Sequence, residues 1–255
     1  QVNFAQRFDA AFEGDCWAGY RIAREKLAGG FSGFMRVSSS RAILSLSPER
    51  FLQIRDGQIF TQPIKGTAPR HADPLKDREL AQALRHSEKD RAENVMITDL
   101  LRNDLGQFCQ AGSVKVTELC ALYSFGNVHH LISTVQGTLA TGLSAGQILI
   151  ATSPGGSITG APKKRAVEII NELERYPRGA YCGSIFVMMG NNRMQSSIAI
   201  RTLETQGKAL YCWGGGGITA NSDWQAEYQE TLDKVGPIMT ALEQGGQCSG
   251  SSMPS

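Results

Sequence analysis

The chain has 255 residues, of which 41% are hydrophobic and 20% charged, and its formal net charge is +2. This composition is that of an ordinary globular protein, large enough for a sizeable core in one large domain or two. A charge so close to neutral gives no reason to expect nucleic acid as the main partner. Because the sequence shows neither a bilayer-spanning apolar run nor a signal peptide, we expect no membrane partner.

The cysteines and the two chain ends add three expectations. Six cysteines are scattered without a CxxC pair, which is typical of reduced thiols and favours a cytoplasmic protein. The chain begins with Gln rather than Met, so we expect an N-terminal part outside this sequence. Residues 244–255 are low in complexity and are predicted to be a disordered tail after one domain over residues 1–243.

Hydrophobic periodicity predicts a mixture of strands and helices. The predicted strands are residues 1–8, 42–46, 51–54, 58–62, 113–119, 127–138, 180–188, 194–202 and 208–213. The predicted helices are residues 16–28, 72–88, 89–104 and those that begin near residues 162 and 222. Asp56-Gly57 is predicted to form a hairpin turn. In the third helix, Ala92, Val95, Met96 and Leu100 are predicted to face the core.

Lys65 lies in an unusual stretch, QPIKGTAPR, at residues 62–70. Pro63 restricts the residue before it to extended conformations, and Gly66 allows the chain to bend sharply. A lysine held there becomes a nucleophile or a base if desolvation lowers its pKa. The alternative is a solvated loop lysine, which the stretch alone favours. Glu49 precedes Lys65 by sixteen positions and is either within reach across neighbouring strands or a surface carboxylate.

Two pairs of carboxylates share predicted helix faces. Asp90 and Glu93 are three residues apart, as are Glu227 and Glu230, and Lys234 follows Glu230 by four. A solvated acidic face explains Asp90 well but fits Glu93 less well, because Glu93 adjoins the predicted apolar stripe. For Glu230, the alternatives are a surface pair with Lys234 and a role with Glu93 in binding Mg²⁺, which is typically held by one or two carboxylates.

Three further stretches carry candidate binding groups. Gly155 and Gly160 have the spacing of a phosphate loop but lack the Lys-Ser/Thr that follows it, which excludes an ATP site. The turn either binds a carboxylate at a helix N-terminus or is simply a tight connection. Arg201 ends an apolar strand, where it is suited to grip a carboxylate or serves structure alone. The adjacent histidines 129 and 130 lack the spacing of a zinc site.

Seven motifs, taken together, resemble the chorismate-utilising enzymes. They are SPERF (47–51), PIKGTAPR (63–70), KDRAENVMITDLLRNDLG (89–106), VHHLIST (128–134), GGSITGAPKKRAVEIINELE (155–174), AIRT (199–202) and GGGITANSDWQAEYQETLDK (215–234). The resemblance runs from Gln1 to about Leu242. It implies an α/β (α+β) sandwich of large antiparallel sheets packed face to face with helices outside, lacking part of the family's N-terminal half. Residues 1–243 would then be a chorismate-binding catalytic domain.

Three features place the chain near the ammonia-using branch of this family. The form PIKGT, with Lys65, is similar to aminodeoxychorismate synthases, whereas anthranilate synthases typically have PIAGT. Gln1 stands where the water-using members carry a lysine, and residues 28–35 lack the NPSPYM run of anthranilate synthases. The resemblance thus implies synthesis of 4-amino-4-deoxychorismate in the folate branch. The alternatives are anthranilate synthase component I and an inactive chorismate-binding fragment.

The resemblance also implies roles for individual residues. The catalytic residues would be Lys65, which attacks the ring, Glu49, which transfers protons, and His130, which lies near the ring or its leaving hydroxyl. Mg²⁺ would be held by Glu93 and Glu230, with Asp90 and Glu227 nearby or bound through water.

The remaining implied residues bind chorismate: Gly66, Thr67, Tyr181, Arg201, Gly215, Gly216, Gly217 and Lys234. Arg201, Tyr181 and the glycine backbone would hold the enolpyruvyl carboxylate. Because the chain has no Cys-His-Glu glutaminase motif, ammonia would come from a separate glutamine amidotransferase subunit.

Overall fold

A computed structural model describes residues 1–27, 29–126 and 128–252 of the chain. It divides into two compact units. Unit 1 comprises Gln1–Glu49, Ile158–Ile185 and Ser197–Ser255, and unit 2 comprises Arg50–Ser157 and Phe186–Ser196. None of the helices in these described ranges carries the long apolar stretch that a membrane crossing requires.

The secondary structure consists of six α-helices and thirteen strands over the described residues. The helices are α1 (Cys16–Leu27), α2 (Pro74–His86), α3 (Glu88–Gly106), α4 (Ala145–Thr152), α5 (Lys163–Leu173) and α6 (Trp224–Gln244). The strands are β1 (Val2–Phe12), β2 (Phe31–Arg36), β3 (Arg41–Ser47), β4 (Arg50–Arg55), β5 (Gln58–Gln62), β6 (Ile64–Pro69), β7 (Lys115–Ser124), β8 (Val128–Thr138), β9 (Ser184–Met189), β10 (Arg193–Ile198), β11 (Thr202–Gln206), β12 (Ala209–Ile218) and β13 (Cys248–Ser252).

Unit 1 contains a six-stranded sheet in the order β13-β1-β12-β11-β3-β2. β1 runs antiparallel to β12 in a continuous register from Val2 opposite Ile218 to Ala11 opposite Ala209. Helices α1 and α6 contribute to one buried cluster with the inward side chains of this sheet. Leu44, Leu203 and Leu242 are fully buried there, and each such side chain stabilises the fold by about 1.5–3 kcal/mol.

Unit 2 contains a seven-stranded sheet in the order β6-β8-β5-β4-β10-β9, with β7 also paired to β8. β8 therefore has antiparallel contacts with β5, β6 and β7 at different points along its eleven residues. Ile59 and Leu131 from the sheet, and Ile97 from α3, are fully buried. The predicted fold class, with two large antiparallel sheets and helices, is confirmed.

Local sequence signals explain where several helices begin. The Asp73 side chain accepts a hydrogen bond from the Leu75 amide, and Pro74 occupies the first turn of α2. Ser144 and Gln147 form a reciprocal capping box at α4. Asp223 caps α6, because its side chain accepts a hydrogen bond from the Ala226 amide. The predicted hairpin at Asp56-Gly57 is also confirmed, since both residues have the positive φ angles that this turn requires.

The core-facing side of α3 differs from the predicted one. Val95 is 44% exposed, whereas the buried positions include Ile97, Leu101 and the polar residue Asn94. Asn94 is tolerated in the core because its Nδ2 donates to the Leu131 carbonyl and its Oδ1 accepts from Ser133. The tertiary hydrogen bonds of Asn94 thus select a face that the apolar spacing alone did not identify.

Several element boundaries also differ from the predictions. Residues 31–36, for which no element was predicted, form strand β2. The helix predicted at 89–104 extends over Glu88–Gly106, and the one predicted to begin near residue 222 runs from Trp224 to Gln244. The predicted strand 194–202 is broken into β10 and β11 by Arg201, whose φ of 48° is incompatible with a strand.

The predicted disordered tail differs from the structure over Cys248–Ser252, which pairs with β1 as strand β13. Cys248 is buried in the unit 1 core, and burial of its side chain helps to hold β13 against the sheet. Residues 253–255 of the predicted tail, like Ala28 of the 28–35 stretch, lie outside the described residues. All six cysteines are unpaired.

A charged network anchors α2 to the end of the unit 2 sheet. Arg70 Nε donates to both oxygens of Asp77, at 2.9 and 3.1 Å, and the His71 amide donates to the same carboxylate. The buried His129 places Nε2 3.1 Å from Asp77 Oδ1. The hydrogen bonds from Arg70, followed by the one from His71, hold the pKa of the Asp77 carboxyl well below its usual range.

This network predicts a specific acid sensitivity. Because folding lowers the pKa of Asp77, its contribution to stability is complete above the unfolded carboxyl pKa of about 3.9 and is lost as the pH falls below it. We expect Asp77→Asn to flatten the decline of the unfolding free energy below about pH 4, measured by urea titrations at several pH values. Asp99→Asn is the control, because Asp99 is an exposed carboxylate that pairs with Arg102 of the same helix. An unchanged pH profile for Asp77→Asn would contradict the assignment.

Candidate active site

Lys65 lies where β6 departs from regular pairing with β8. Ile64 is opposite Ile132 and Thr67 is opposite His130, and the register shifts between these two pairs. Two residues of β6, Lys65 and Gly66, are therefore opposite one residue of β8, Leu131. This two-to-one pairing is a β-bulge. Bulges bend a strand and redirect its side chains, so the local geometry turns Lys65 away from the regular alternation of the sheet.

The amine of Lys65 points toward the glycine-rich turn. Its Nζ lies 3.4 Å from the carbonyl oxygen of Ser157, which belongs to a buried 3-10 turn at Gly156–Ile158. The lysine is half-buried on a strand, which does not match the alternative of a solvated loop lysine. Ser157 was not predicted as a site residue, because a contact made by a backbone carbonyl leaves no trace in the sequence.

Gly66 allows β6 to approach α3 closely. Its φ is +89°, and a Cβ at this position would lie 2.9 Å from the Cβ of Asp90 and 3.1 Å from Leu84. Both features require glycine. Asp90 itself takes part in capping α3, because its Oδ2 accepts a hydrogen bond from the Ser87 hydroxyl at 2.5 Å. Glu93, one turn further along the helix, is half-buried.

The two adjacent histidines of β8 have different partners, as the alternation of a strand predicts. His130 Nδ1 lies 2.9 Å from the Thr67 hydroxyl, across the β6–β8 pair. His129 Nδ1 instead lies 2.8 Å from the Ser124 hydroxyl, and its other nitrogen faces Asp77. The structure thus brings two predicted site residues, Thr67 and His130, into direct contact and engages His129 in the α2 network.

In unit 1, charged side chains of α6 converge on Gly216. A Cβ at Gly216 would lie 3.3 Å from Glu227 Oε2, 3.7 Å from Lys234 Nζ and 3.8 Å from Glu230 Oε1. Lys234 pairs with Glu230 at 2.7 Å and also donates to the Gly215 carbonyl at 2.8 Å. The predicted Glu230–Lys234 pair therefore exists, and it is part of a larger cluster over the β12 backbone.

Two carboxylates at one glycine fit the ligand preference of Mg²⁺. Glu227 is only 6% exposed. Its Oε1 accepts from the Ser222 hydroxyl, and its Oε2 is directed toward Gly216. Mg²⁺ is usually bound by one or two carboxylates, with water and substrate oxygens completing the octahedron. No group of three or more His, Cys, Asp or Glu side chains is arranged as a metal site within residues 1–27, 29–126 and 128–252.

The backbone of β12 offers two unpaired amides near this cluster. On β1, the amides of Asn3 and Ala5 point away from β12 and donate to Thr159 and Glu174. The residues of β12 opposite them, Gly217 and Gly215, are therefore in non-hydrogen-bonded pairs. Their N–H groups must therefore point to the other edge of β12. The pairing of β11 along that edge ends at Cys212. Over the described residues, these two amides thus face an open strand edge, where they can bind an anion.

Tyr181 and Arg201 provide further groups for an anionic ligand. Tyr181 is stacked on Trp213 with ring centroids 6.1 Å apart, and burial raises the pKa of its hydroxyl well above the usual value. Burial alone lowers the pKa of the Arg201 guanidinium, with no contribution from a carboxylate among the described residues. A left-handed backbone at a non-glycine residue costs about 1–3 kcal/mol, and such strain concentrates at functional sites.

Glu49 follows Pro48 and is 5% exposed. Its backbone is fixed on both sides, because its amide donates to the Ser47 hydroxyl and its carbonyl accepts from the Ile198 amide. The alternative of a surface carboxylate is therefore wrong. Glu49, Tyr181, Arg201 and the α6 cluster belong to unit 1, whereas Lys65, His130 and the α3 carboxylates belong to unit 2.

Trp213 was not predicted as a site residue. It is 6% exposed, and its Nε1 has no hydrogen-bond partner in the described part of the chain. An indole N–H left unpaired in a buried position is uncommon, since the group loses its water without compensation. The only sequence signal was the position of Trp213 immediately before four glycines.

The chain is similar to proteins of known family. The sequence profile described as chorismate binding enzyme matches residues 1–240. Aminodeoxychorismate synthase component 1 from Salmonella typhimurium is 53% identical over 243 residues, which are 95% of this chain and 53% of that protein. The protein of the same name from Escherichia coli K12 is 51% identical over the same shares.

A solved structure agrees with this comparison. The crystal structure of anthranilate synthase component I from Streptococcus pneumoniae superposes with a TM-score of 0.84 at 35% identity, covering 93% of this chain and 52% of that one. The chain spans about half the length of the curated relatives it matches. With the profile matched over nearly all of its residues, the chain belongs to the family of chorismate binding enzymes.

Proposed function

We propose that the chain carries the catalytic centre of an aminodeoxychorismate synthase component I, which converts chorismate and ammonia to 4-amino-4-deoxychorismate and water. The observation that supports this best is Lys65, half-buried on the bulge of β6, in the sequence PIKGT. Identities of 51–53% to two relatives with this name favour it over anthranilate synthesis. The product would enter para-aminobenzoate and folate biosynthesis.

In the first proposed step, Lys65 acts as the nucleophile. Its neutral amine forms a bond to ring carbon C2, the two ring double bonds shift, and the C4–O bond breaks. Glu49, in its acid form, gives a proton to the departing hydroxyl, which leaves as water. Splitting one difficult displacement into two easier ones is the advantage of a covalent intermediate. Such a proton transfer contributes roughly 10²–10⁴-fold to the rate.

In the second step, ammonia replaces the lysine. Ammonia forms a bond to C4, the double bonds shift back, and the C2–N bond breaks so that Lys65 returns as a neutral amine. The carboxylate of Glu49 takes the excess proton from the new ammonium group. Glu49 thereby recovers its acid form, and the sum of both steps is the exchange of a hydroxyl for an amino group.

The other predicted residues bind and orient chorismate. Arg201, the Tyr181 hydroxyl and the amides of Gly215 and Gly217 would hold the enolpyruvyl carboxylate, while Gly66, Thr67 and His130 contact the ring side. Glu93 and Glu230, supported by Asp90, Glu227 and Lys234, would hold Mg²⁺. When bound, Mg²⁺ supplies positive charge that neutralises and orients the ring carboxylate.

Ammonia would come from a glutamine amidotransferase subunit, as the designation component 1 of the relatives suggests. The six unpaired thiols favour a reducing compartment, the cytoplasm.

The proposal is tested by supplying ammonia directly. The purified chain is incubated with chorismate, Mg²⁺ and an ammonium salt, and the products are identified by chromatography and mass spectrometry. We expect aminodeoxychorismate with its enolpyruvyl group intact. Anthranilate or isochorismate as the main product would overturn the assignment. Thermal stabilisation by chorismate without turnover would indicate an inactive binding fragment.

A further inference from the structure

A buried ion pair lies where α5 ends. Arg178 donates through Nε and Nη2 to the two carboxylate oxygens of Glu174, at 2.8 and 2.5 Å. The side chains are only 14% and 6% exposed. Burying two charges costs more than their attraction returns unless their remaining hydrogen-bonding atoms are also satisfied.

The remaining atoms of this pair bind backbone on other segments. Arg178 Nη1 donates to the Ile158 carbonyl at 2.9 Å, and Nη2 donates to the Asn3 carbonyl at 2.8 Å. Glu174 Oε1 accepts from the Ala5 amide at 2.9 Å. The pair thus supplies both a donor and an acceptor along the outer edge of β1, as a neighbouring strand would.

These contacts are made to the part of β1 that pairs with the open end of β12. Asn3 is opposite Gly217, and Ala5 is opposite Gly215, so the backbone held by the ion pair is the backbone that carries the two glycines. The Arg178 guanidinium also lies 5.9 Å from the ring centroid of Tyr181. A guanidinium at that distance interacts favourably with an aromatic ring.

The geometry points to Arg178 and Glu174 as positioning residues that fix the amides of Gly215 and Gly217 and the ring of Tyr181 for the carboxylate of the substrate. The role of these two residues in binding the substrate rests on the proposed function. Burial disfavours the Arg178 charge, but the hydrogen bonds and charge of Glu174 outweigh this and raise the pKa of Arg178. The Arg178 guanidinium presents five N–H donors in a fixed planar fork, whereas a lysine ammonium is a point charge without this geometry.

Arg178→Lys is therefore the informative variant, because it keeps the charge and removes the fork. Hydrogen exchange should accelerate by about tenfold or more at the amides of residues 3–5 and at the amide of Gly216, which is paired with Phe4, as expected for lost hydrogen bonds to a charged group. The KM for chorismate should rise more than kcat falls, and kcat/KM should fall by about 10²-fold, as for misplaced binding groups.

Arg165→Lys is the matched control. Arg165 lies on α5 and bonds to Glu168 and Glu172 at the surface, so its replacement should change neither the exchange nor the kinetics. Glu174→Gln is the second variant, should Arg178→Lys fail to fold. The amide oxygen of the new glutamine can still accept from the Ala5 amide, but the side chain no longer accepts two hydrogen bonds from Arg178. Exchange at residues 3–5 should therefore rise less than in Arg178→Lys.

Three outcomes separate the possibilities. Wild-type exchange at residues 3–5 and at Gly216 in both variants would overturn the inference. A uniform rise in exchange across unit 1, with KM unchanged, would also overturn it, because the pair would then only stabilise the fold. If the wild-type chain forms no aminodeoxychorismate, the proposed function fails, and local exchange still decides whether the pair holds β1 and β12.

Discussion

Replacing Lys65 with alanine is expected to lower kcat for aminodeoxychorismate formation by about 10²- to 10³-fold with the fold unchanged. The amine is the proposed nucleophile, so the two-step route is lost with it. Direct displacement by ammonia remains available, since Glu49 and the carboxylate-binding groups are intact, and this sets the residual rate. The measurement is initial rate at saturating chorismate and ammonium, with product quantified by chromatography.

A second measurement identifies the covalent step itself. Intact-protein mass spectrometry of acid-quenched wild-type reactions without ammonia should show an adduct with the mass of chorismate less one water. Lys65→Ala should not form it. Lys76→Ala, at an exposed lysine of α2 in the same unit, is the control and should behave as wild type. Full activity in Lys65→Ala would contradict the role of Lys65 as nucleophile.

Elements governed by local chemistry could be predicted from the sequence. The hairpin between β4 and β5 follows from Asp56-Gly57, because both residues adopt positive φ at little cost. The carboxylate pairs of α3 and α6 follow from helical spacing, which puts residues three apart on one face. Convergence of Glu227 and Glu230 on Gly216 is a consequence of that spacing together with the packing of α6 against β12.

Features decided by tertiary contacts could not be predicted in the same way. In α3, two apolar stripes have helical spacing, and the buried one was identified only through the hydrogen bonds of Asn94 to β8. The turn at Arg201 offers no local signal, because arginine does not favour positive φ. The Glu174–Arg178 pair resembles any surface i,i+4 pair until its backbone partners on β1 are known.

The resemblance implied one shared role for the glycines of β12, in holding a carboxylate, but their surroundings in the structure differ. Gly216 leaves room for carboxylates of α6. Gly215 is instead required by β1, because a Cβ there would lie 2.2 Å from the Phe4 carbonyl oxygen and 2.7 Å from the Ala5 Cα. Substitutions at these neighbouring positions should therefore have different effects.

Gly215→Ala is expected to lower the free energy of unfolding by about 3 kcal/mol, at the upper end for an overpacked core. The obstructing atoms are strand backbone and cannot rotate away like the end of a side chain. β1 also cannot retreat, because Arg178 and Glu174 hold its other edge. At about 2–4 °C per kcal/mol for a chain of this size, Tm should fall by about 6–12 °C in thermal denaturation followed by circular dichroism.

Gly236→Ala is the matched control. Gly236 lies within α6, and beyond the backbone of that helix no atom of the described residues would approach its Cβ within 4 Å. Alanine there should raise stability by up to about 1 kcal/mol through helix propensity. Gly216→Ala separates the two roles, since its Cβ would meet side-chain ends instead of backbone, the tightest contact being Glu227 Oε2 at 3.3 Å. It should keep most of the stability and weaken the dependence of activity on Mg²⁺. A wild-type Tm for Gly215→Ala would mean that β1 does not constrain the β12 backbone at this point.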